Sequence, residues 1–115
     1  TSSGTAIIDP VNLRKPALIT SISTPAPQAT EVPPGSLRHM DVYCDYRATT
    51  PSIAGEMQLA AAEHGWSATS VVGDLPELTT GSAALPSYGR HVFFRSIGLG
   101  LEDVAMAHAL QLATT

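Results

Sequence analysis

Positive charge is scarce in this sequence: six Lys and Arg stand against ten Asp and Glu, for a formal net charge of −4. The basic residues are scattered, and only Arg14 and Lys15 are adjacent. Nucleic acid and anionic membrane surfaces both require clustered cations, so neither is expected as a main partner. Cysteine is almost missing too. The one residue, Cys44, cannot form an internal disulfide, which makes a reducing cytoplasm the expected location. No apolar run approaches the roughly 20 residues of a membrane span, and Thr1-Ser2-Ser3-Gly4 has no signal-peptide pattern. Charge of either sign is thin at 14% of residues, against about 25% in an average domain, and aromatics make up 5%. Such a surface is either rich in Ala, Thr and Ser or covered by another domain, a second subunit or further chain.

Signatures of self-sufficient catalysis are also lacking. There is no G-x-G-x-x-G or Walker loop to cradle phosphates, and no Cys/His set at metal-ligand spacing, so no metal and no catalytic residue is expected. Gly98-Leu99-Gly100 lacks a third glycine and is a weak nucleotide loop. The four histidines stand apart. His39 and His64 read as surface or helix-end residues, His108 as partly buried on a final helix, and His91 has no Ser or Asp partner nearby in the sequence. Cys44 reads as a small buried apolar residue rather than a nucleophile.

What is present suits one ordinary domain: 115 residues, 43% hydrophobic, with a mean hydropathy of +0.11. Ala17 to Ser23 and Met40 to Asp45 are short β-favouring apolar runs without clean polar alternation, as in strands covered on both faces. Residues 24–36 hold four of the nine prolines and read as a rigid extended loop; Gly35 to His39 has room for one helical turn at most. Thr50-Pro51 opens a helix that Gly65 ends, with Ile53, Met57, Ala60, Ala61 and His64 on one stripe and Glu56 and Glu63 elsewhere. Asp74 to Thr80 is a short helix closed by Gly81, and Gly81 to Gly89 is loop. His91 to Ser96 is a strand, followed by a helix from about Leu101 to Ala113 with Leu101, Val104, Ala105, Ala109 and Leu112 as its apolar face. Strands alternating with helices predict an α/β fold with a mainly parallel sheet, which the last strand and helix are expected to leave.

Two segments carry most of the functional interest. Leu18 to Pro27 follows a strand with small and hydroxyl residues, at the carboxyl edge where open α/β sheets bind ligands. Phe93 to Gly98 ends a strand in a cation, a hydroxyl and a glycine. There Arg95 reads as a solvated strand end or an anion-facing group, and Ser96 as a cap or a ribose-facing one.

At these segments the sequence resembles the ornithine cyclodeaminase/mu-crystallin family. Phe94-Arg95-Ser96-Ile97-Gly98-Leu99-Gly100-Leu101-Glu102-Asp103 is similar to the family's closing signature, roughly Phe-Lys-Ser-Val-Gly-x-Ala-x-Glu-Asp. Ile19 to Val32 resembles its strand and loop, Asp41 to Asp45 with Ala54-Gly55-Glu56 its next strand and helix, and Gly73 to Leu78 with Gly81 a short element after them.

The resemblance implies the second half of a Rossmann-like NAD(P)-binding domain over residues 1–90. Residues 91–115 would return to a substrate and dimerisation domain, and the Gly-rich loop would lie outside this chain. It implies NAD or NADP as cofactor, an amino acid or imine as substrate, and the remainder of a longer chain and a second copy as partners. Thr1, Leu18, Ile19, Thr20, Ser21 and Ser96 match cofactor-lining positions of the family, and Ile97 matches a substrate-lining one. Two positions depart from it: Pro25 stands where the cyclodeaminases have an aspartate base, and Ala29 where the family often has a lysine. Proline cannot take a proton, so imine reduction is expected in preference to ornithine cyclisation. The alternatives are a non-catalytic cofactor and small-ligand binder like mu-crystallin, and a structural remnant without function of its own.

Overall fold

The computed structural model describes residues 5–22, 29–98 and 100–114. Thr1 and Pro25 lie outside them, and Ala29 inside. Four parallel strands form one sheet in the order β1-β4-β2-β3, where β1 is Leu18–Ile22, β2 Asp41–Cys44, β3 Gly73–Asp74 and β4 Val92–Ser96. The helices are α1 (Thr50–Ile53), α2 (Gly55–Glu63), α3 (Leu75–Thr80) and α4 (Gly100–Thr114), with single 3-10 turns at Pro10–Asn12, Pro34–His39 and Ala68–Ser70. The expected α/β class and parallel sheet are therefore present.

The place of β4 corrects one expectation. Val92–Ser96 does not leave the sheet but is inserted between β1 and β2, in register with Leu18–Ile22 on one side and Asp41–Cys44 on the other. Its run Val-Phe-Phe is apolar on both faces, which is what an inner strand needs. Only the chain beyond Ser96 departs. His91 helps fix the register, since its Nδ1 accepts the Ala17 amide at 3.0 Å where β1 and β4 begin.

Side chains alternate across the sheet. Val42 and Cys44 of β2, Phe93 of β4 and Ile19 of β1 face a core built with Val32, Leu37, Met40, Ala54, Met57, Ala60, Trp66 and Val71. The helix opening at Thr50 breaks at Ala54, whose φ/ψ of −64/124 is extended, and restarts as α2. The break lets Gly55 pass under the backbone of Ala29: a Cβ there would lie 2.1 Å from the Ala29 carbonyl oxygen. It also rotates the expected stripe. Glu56, Met57 and Ala60 are buried, while Ile53 and Ala61 are exposed.

At α3 the local chemistry agrees with the sequence. Asp74 accepts the Glu77 amide at 2.9 Å, Glu77 accepts the Asp74 amide at 3.1 Å, and Gly81 closes the helix at φ 79°. Arg47 ties this cap to the end of β2, its amide donating to Asp74 and its Nε to Glu77. α4 is different. Every described side chain on it is exposed, including Leu101, Val104 and Leu112 of the expected apolar face, and so is His108, which is not partly buried.

Candidate functional site

All four strands are parallel, so their carboxyl ends share one edge. Ile22, Ser96, Cys44 and Asp74 end their strands there. Open α/β sheets place ligands at such an edge because strand ends and turns expose amides, carbonyls and short polar side chains together.

The central feature of this edge is Asp45, fully buried one residue past β2. Its Oδ1 accepts the Thr50 hydroxyl and the Tyr46 amide at 3.0 Å. Its Oδ2 accepts the Ser96 hydroxyl at 2.9 Å, the Ile97 amide at 3.0 Å and the Gly98 amide at 3.1 Å. Burial pushes this carboxyl up, but the bonds from Thr50, Ser96, Ile97 and Tyr46 outweigh it and hold the group below its ordinary value of 3.8. One carboxylate thus joins the end of β2, the start of α1 and the turn after β4. Gly98 has φ 82° in that turn, a left-handed conformation that a side chain would strain.

Beside it lies a second buried polar pair. Arg95, 2% exposed, donates its Nε to fully buried Glu56 at the start of α2 and its Nη1 to the Ser96 carbonyl. Arg95 is therefore neither a solvated strand end nor a free anion-binding group. A guanidinium in the middle of a sheet needs a counter-charge, and Glu56 supplies it. Three buried polar side-chain atoms have no hydrogen-bond partner among the described residues: Glu56 Oε2, the Thr49 hydroxyl before α1, and the hydroxyl of Ser21, whose residue pairs in register with Arg95.

The expected cofactor-facing residues divide between the two sheet faces. Ser21 and Ser96 are both buried near the carboxyl edge, but one register step apart and so on opposite faces, Ser21 with Ile19 on the core side and Ser96 on the other; Ile97 follows, half-buried against the core. Ile19 packs on the core side. Leu18 and Thr20 lie on the opposite face and line a cavity of about 300 Å³ with Tyr43, Leu75, Leu78 and Phe94, almost wholly apolar. Leu18 pairs with Val92, four residues before Ser96 in register, which is roughly 13 Å along a strand. Cys44 is fully buried, and burial followed by the charges of Asp45 and Asp74 pushes its thiol up to about 11, so it is not a nucleophile at neutral pH.

Sequence reasoning missed Asp45, Thr50 and Glu56 as parts of this edge. The available signal was an aspartate closing an apolar strand and followed by a Thr-Thr-Pro helix start. Chemically the edge offers hydroxyls, amides and carbonyls. Of its buried charges, Arg95 and one oxygen of Glu56 are paired with each other, and Asp45 is held by hydroxyls and amides.

The chain is similar to known proteins over nearly its whole length. It is 64% identical over 110 residues to the NAD(P)H-dependent anabolic L-arginine dehydrogenase DauB of Pseudomonas aeruginosa, a match covering 96% of this chain and 35% of that enzyme. Among solved structures, a probable ornithine cyclodeaminase from Bordetella pertussis Tohama I superposes with a TM-score of 0.78 at 33% identity, over 93% of this chain and 34% of its own. The Δ1-pyrroline-2-carboxylate reductase of Thermococcus litoralis, solved with NADH and L-proline, has the same fold, with a TM-score of 0.84 at 19% identity over 94% of this chain and 34% of its own. The chain thus spans about a third of the length of these relatives. No family-wide sequence model matches it.

Proposed function

We propose, from the premise that this chain belongs to the ornithine cyclodeaminase/mu-crystallin family, that it is the C-terminal portion of an NAD(P)-dependent oxidoreductase acting on amino acids or imines. The observation that carries the reading is the 64% identity to an NAD(P)H-dependent L-arginine dehydrogenase across 96% of the chain. The reaction would interconvert an α-amino acid and its imine: the Cα–H bond breaks as hydride, the amine loses a proton, and the C=N bond forms. The hydride chemistry would be supplied by NAD(P), held in part by Ser21 and Ser96.

The residues present suit one flank of a dinucleotide. Ser21 has a buried hydroxyl in need of a partner, and Ser96 and Ile97 stand at the same edge on a turn held by Asp45. Leu18, Ile19 and Thr20 of β1 would form the wall behind them, with Thr1 as a further contact. Ile97 would face the substrate. The phosphates need a Gly-rich loop, which these 115 residues do not contain. Residues 1–90 with β4 would belong to the dinucleotide domain, and the helix after Ser96 to a substrate and dimerisation domain in a cytoplasmic homodimer.

Within the family's chemistries the sequence favours imine reduction. Pro25 has no ionisable group, and Asp45 spends both its oxygens on five donors within the fold. The test is to assay the full-length protein in two reactions. One supplies the 2-oxo acid of a basic amino acid with ammonium and NAD(P)H; the other supplies ornithine with NAD. Reduced-cofactor oxidation in the first and little ammonia release in the second are expected. Robust ornithine cyclisation would overturn the imine reading, and dinucleotide binding with no turnover of either would favour the non-catalytic binder.

A further inference from the structure

We propose that Asp45 is a positioning residue for the ligand edge: it locks the Ser96–Gly98 turn and leaves the Ser96 hydroxyl able only to accept a hydrogen bond from whatever docks there. The role rests on the reading that Ser96 faces the dinucleotide, and it goes further by fixing the polarity of that contact.

The argument begins with proton counting. A serine hydroxyl has one hydrogen and two lone pairs. The hydrogen of Ser96 is directed to Asp45 Oδ2 at 2.9 Å. One lone pair faces the Gly98 amide at 3.2 Å, an N–H shared with the same carboxylate oxygen. One lone pair is left, so the matching ligand group must be a donor, such as a hydroxyl, an amide N–H or a protonated amine. An ionised carboxylate behind the hydroxyl makes that lone pair a better acceptor.

The same carboxylate holds the turn itself. The Ile97 and Gly98 amides point inward to Oδ2 and are therefore withdrawn from a ligand. The other oxygen is anchored on the fold side by Thr50 and Tyr46. Five donors on two oxygens leave the aspartate no freedom to rotate. Asparagine has nearly the same shape, but its NH2 must take the place of one oxygen. In the Oδ2 place it opposes the Ile97 and Gly98 amides and releases the Ser96 proton toward the ligand, so the contact reverses its sense; in the Oδ1 place it opposes the Tyr46 amide, and a neutral carbonyl is left to hold Ser96 and the turn.

The experiment is a double-mutant cycle on the full-length protein, read as the dissociation constant of NADPH and NADH by fluorescence titration, with Tm measured alongside. Asp45→Asn and Ser96→Ala are each expected to weaken binding about tenfold, the scale of one charge-assisted hydrogen bond, while the double variant is no weaker than the worse single one. Ser96→Thr, which keeps the hydroxyl, should recover binding relative to Ser96→Ala. Unchanged affinity in a folded Asp45→Asn variant, or losses that simply multiply in the double variant, would show a purely structural aspartate. If Asp45→Asn does not fold, Ser96→Ala against Ser96→Thr decides, and equal binding by both overturns the role. A native full-length protein that binds neither dinucleotide overturns the cofactor reading and this role with it, whereas native binding with insensitive variants overturns the role alone.

Discussion

Asp45 carries its charge at zero exposure, and the consequence belongs to pH. Its folded value lies below the ordinary 3.8, because burial, which raises it, is outweighed by four hydrogen bonds. Asp74 is shifted the same way: burial raises it, and the Arg47 and Glu77 amides, the Glu77 side chain and the Arg47 charge lower it further. A carboxyl depressed in the folded state stabilises it at every pH above the unfolded value, and that contribution is lost as pH falls through the folded value. The full-length protein should therefore hold its Tm down to about pH 5 and lose it steeply below pH 4. Asp45→Asn should start from a lower Tm and show a shallower acid limb, because one of the two linked protons is gone. Parallel limbs in thermal melts across that range would mean that Asp45 does not contribute.

Among the elements, the strand ends and α3 were legible in the sequence because their signals are local. An apolar run, an Asp-x-x-Glu box and a glycine at φ 79° need nothing from the rest of the chain. The position of β4 and the break at Ala54 were not legible, since both depend on partners distant in sequence. An inner strand is defined by its two neighbours, and the helix breaks so that Gly55 can slide beneath Ala29. The same limit hid the candidate site. Glu56 stands off the apolar stripe in the sequence, and nothing local pairs it with Arg95, 39 positions away. Of the residues singled out in advance, Ser21, Ser96 and Ile97 lie at the carboxyl end of the sheet, because a strand terminus can be read from sequence, while the face each serine takes depends on the register. Gly55 gives the element-scale prediction. In Gly55→Ala the new methyl group meets the Ala29 backbone at 2.1 Å, and backbone cannot swing aside as a side chain does. A loss of about 1–3 kcal/mol is expected, measured by urea denaturation of the full-length protein. Ala61→Gly, on the exposed face of α2, should cost only about 1 kcal/mol. Equal losses at the two positions would mean that the close packing under Ala29 is unimportant.

At the scale of the whole molecule, surface composition and topology point the same way. The outer edge of β1 pairs with no strand among the described residues, and Leu18 and Ile22 on it are 53% and 71% exposed. α4 shows Leu101, Val104, Met106, Leu110 and Leu112 to solvent, each 60% exposed or more. An apolar edge strand and an apolar helix face are surfaces a stable protein covers, and the low charge fraction fits that need. The apolar cavity behind Leu18 and Phe94 can take aliphatic groups but offers almost nothing polar to a phosphate. Dinucleotide affinity comes largely from phosphates set on backbone amides at a Gly-rich turn and helix start, and the sequence holds no G-x-G-x-x-G or Walker pattern. On the proposed reading the chain would provide one flank, the hydroxyls of Ser21 and Ser96 and a turn held by Asp45, to orient a ligand anchored elsewhere. The isolated 115-residue polypeptide should therefore bind NADH and NADPH no more tightly than about 1 mM, a free energy of roughly −4 kcal/mol, while the full-length protein binds at least one of them in the micromolar range. Isothermal titration of both proteins, in parallel and at equal ionic strength, measures the difference. Micromolar binding by the isolated chain would mean that these strands carry a complete dinucleotide site, and the division of labour inferred from β1, β4 and Asp45 would have to be abandoned.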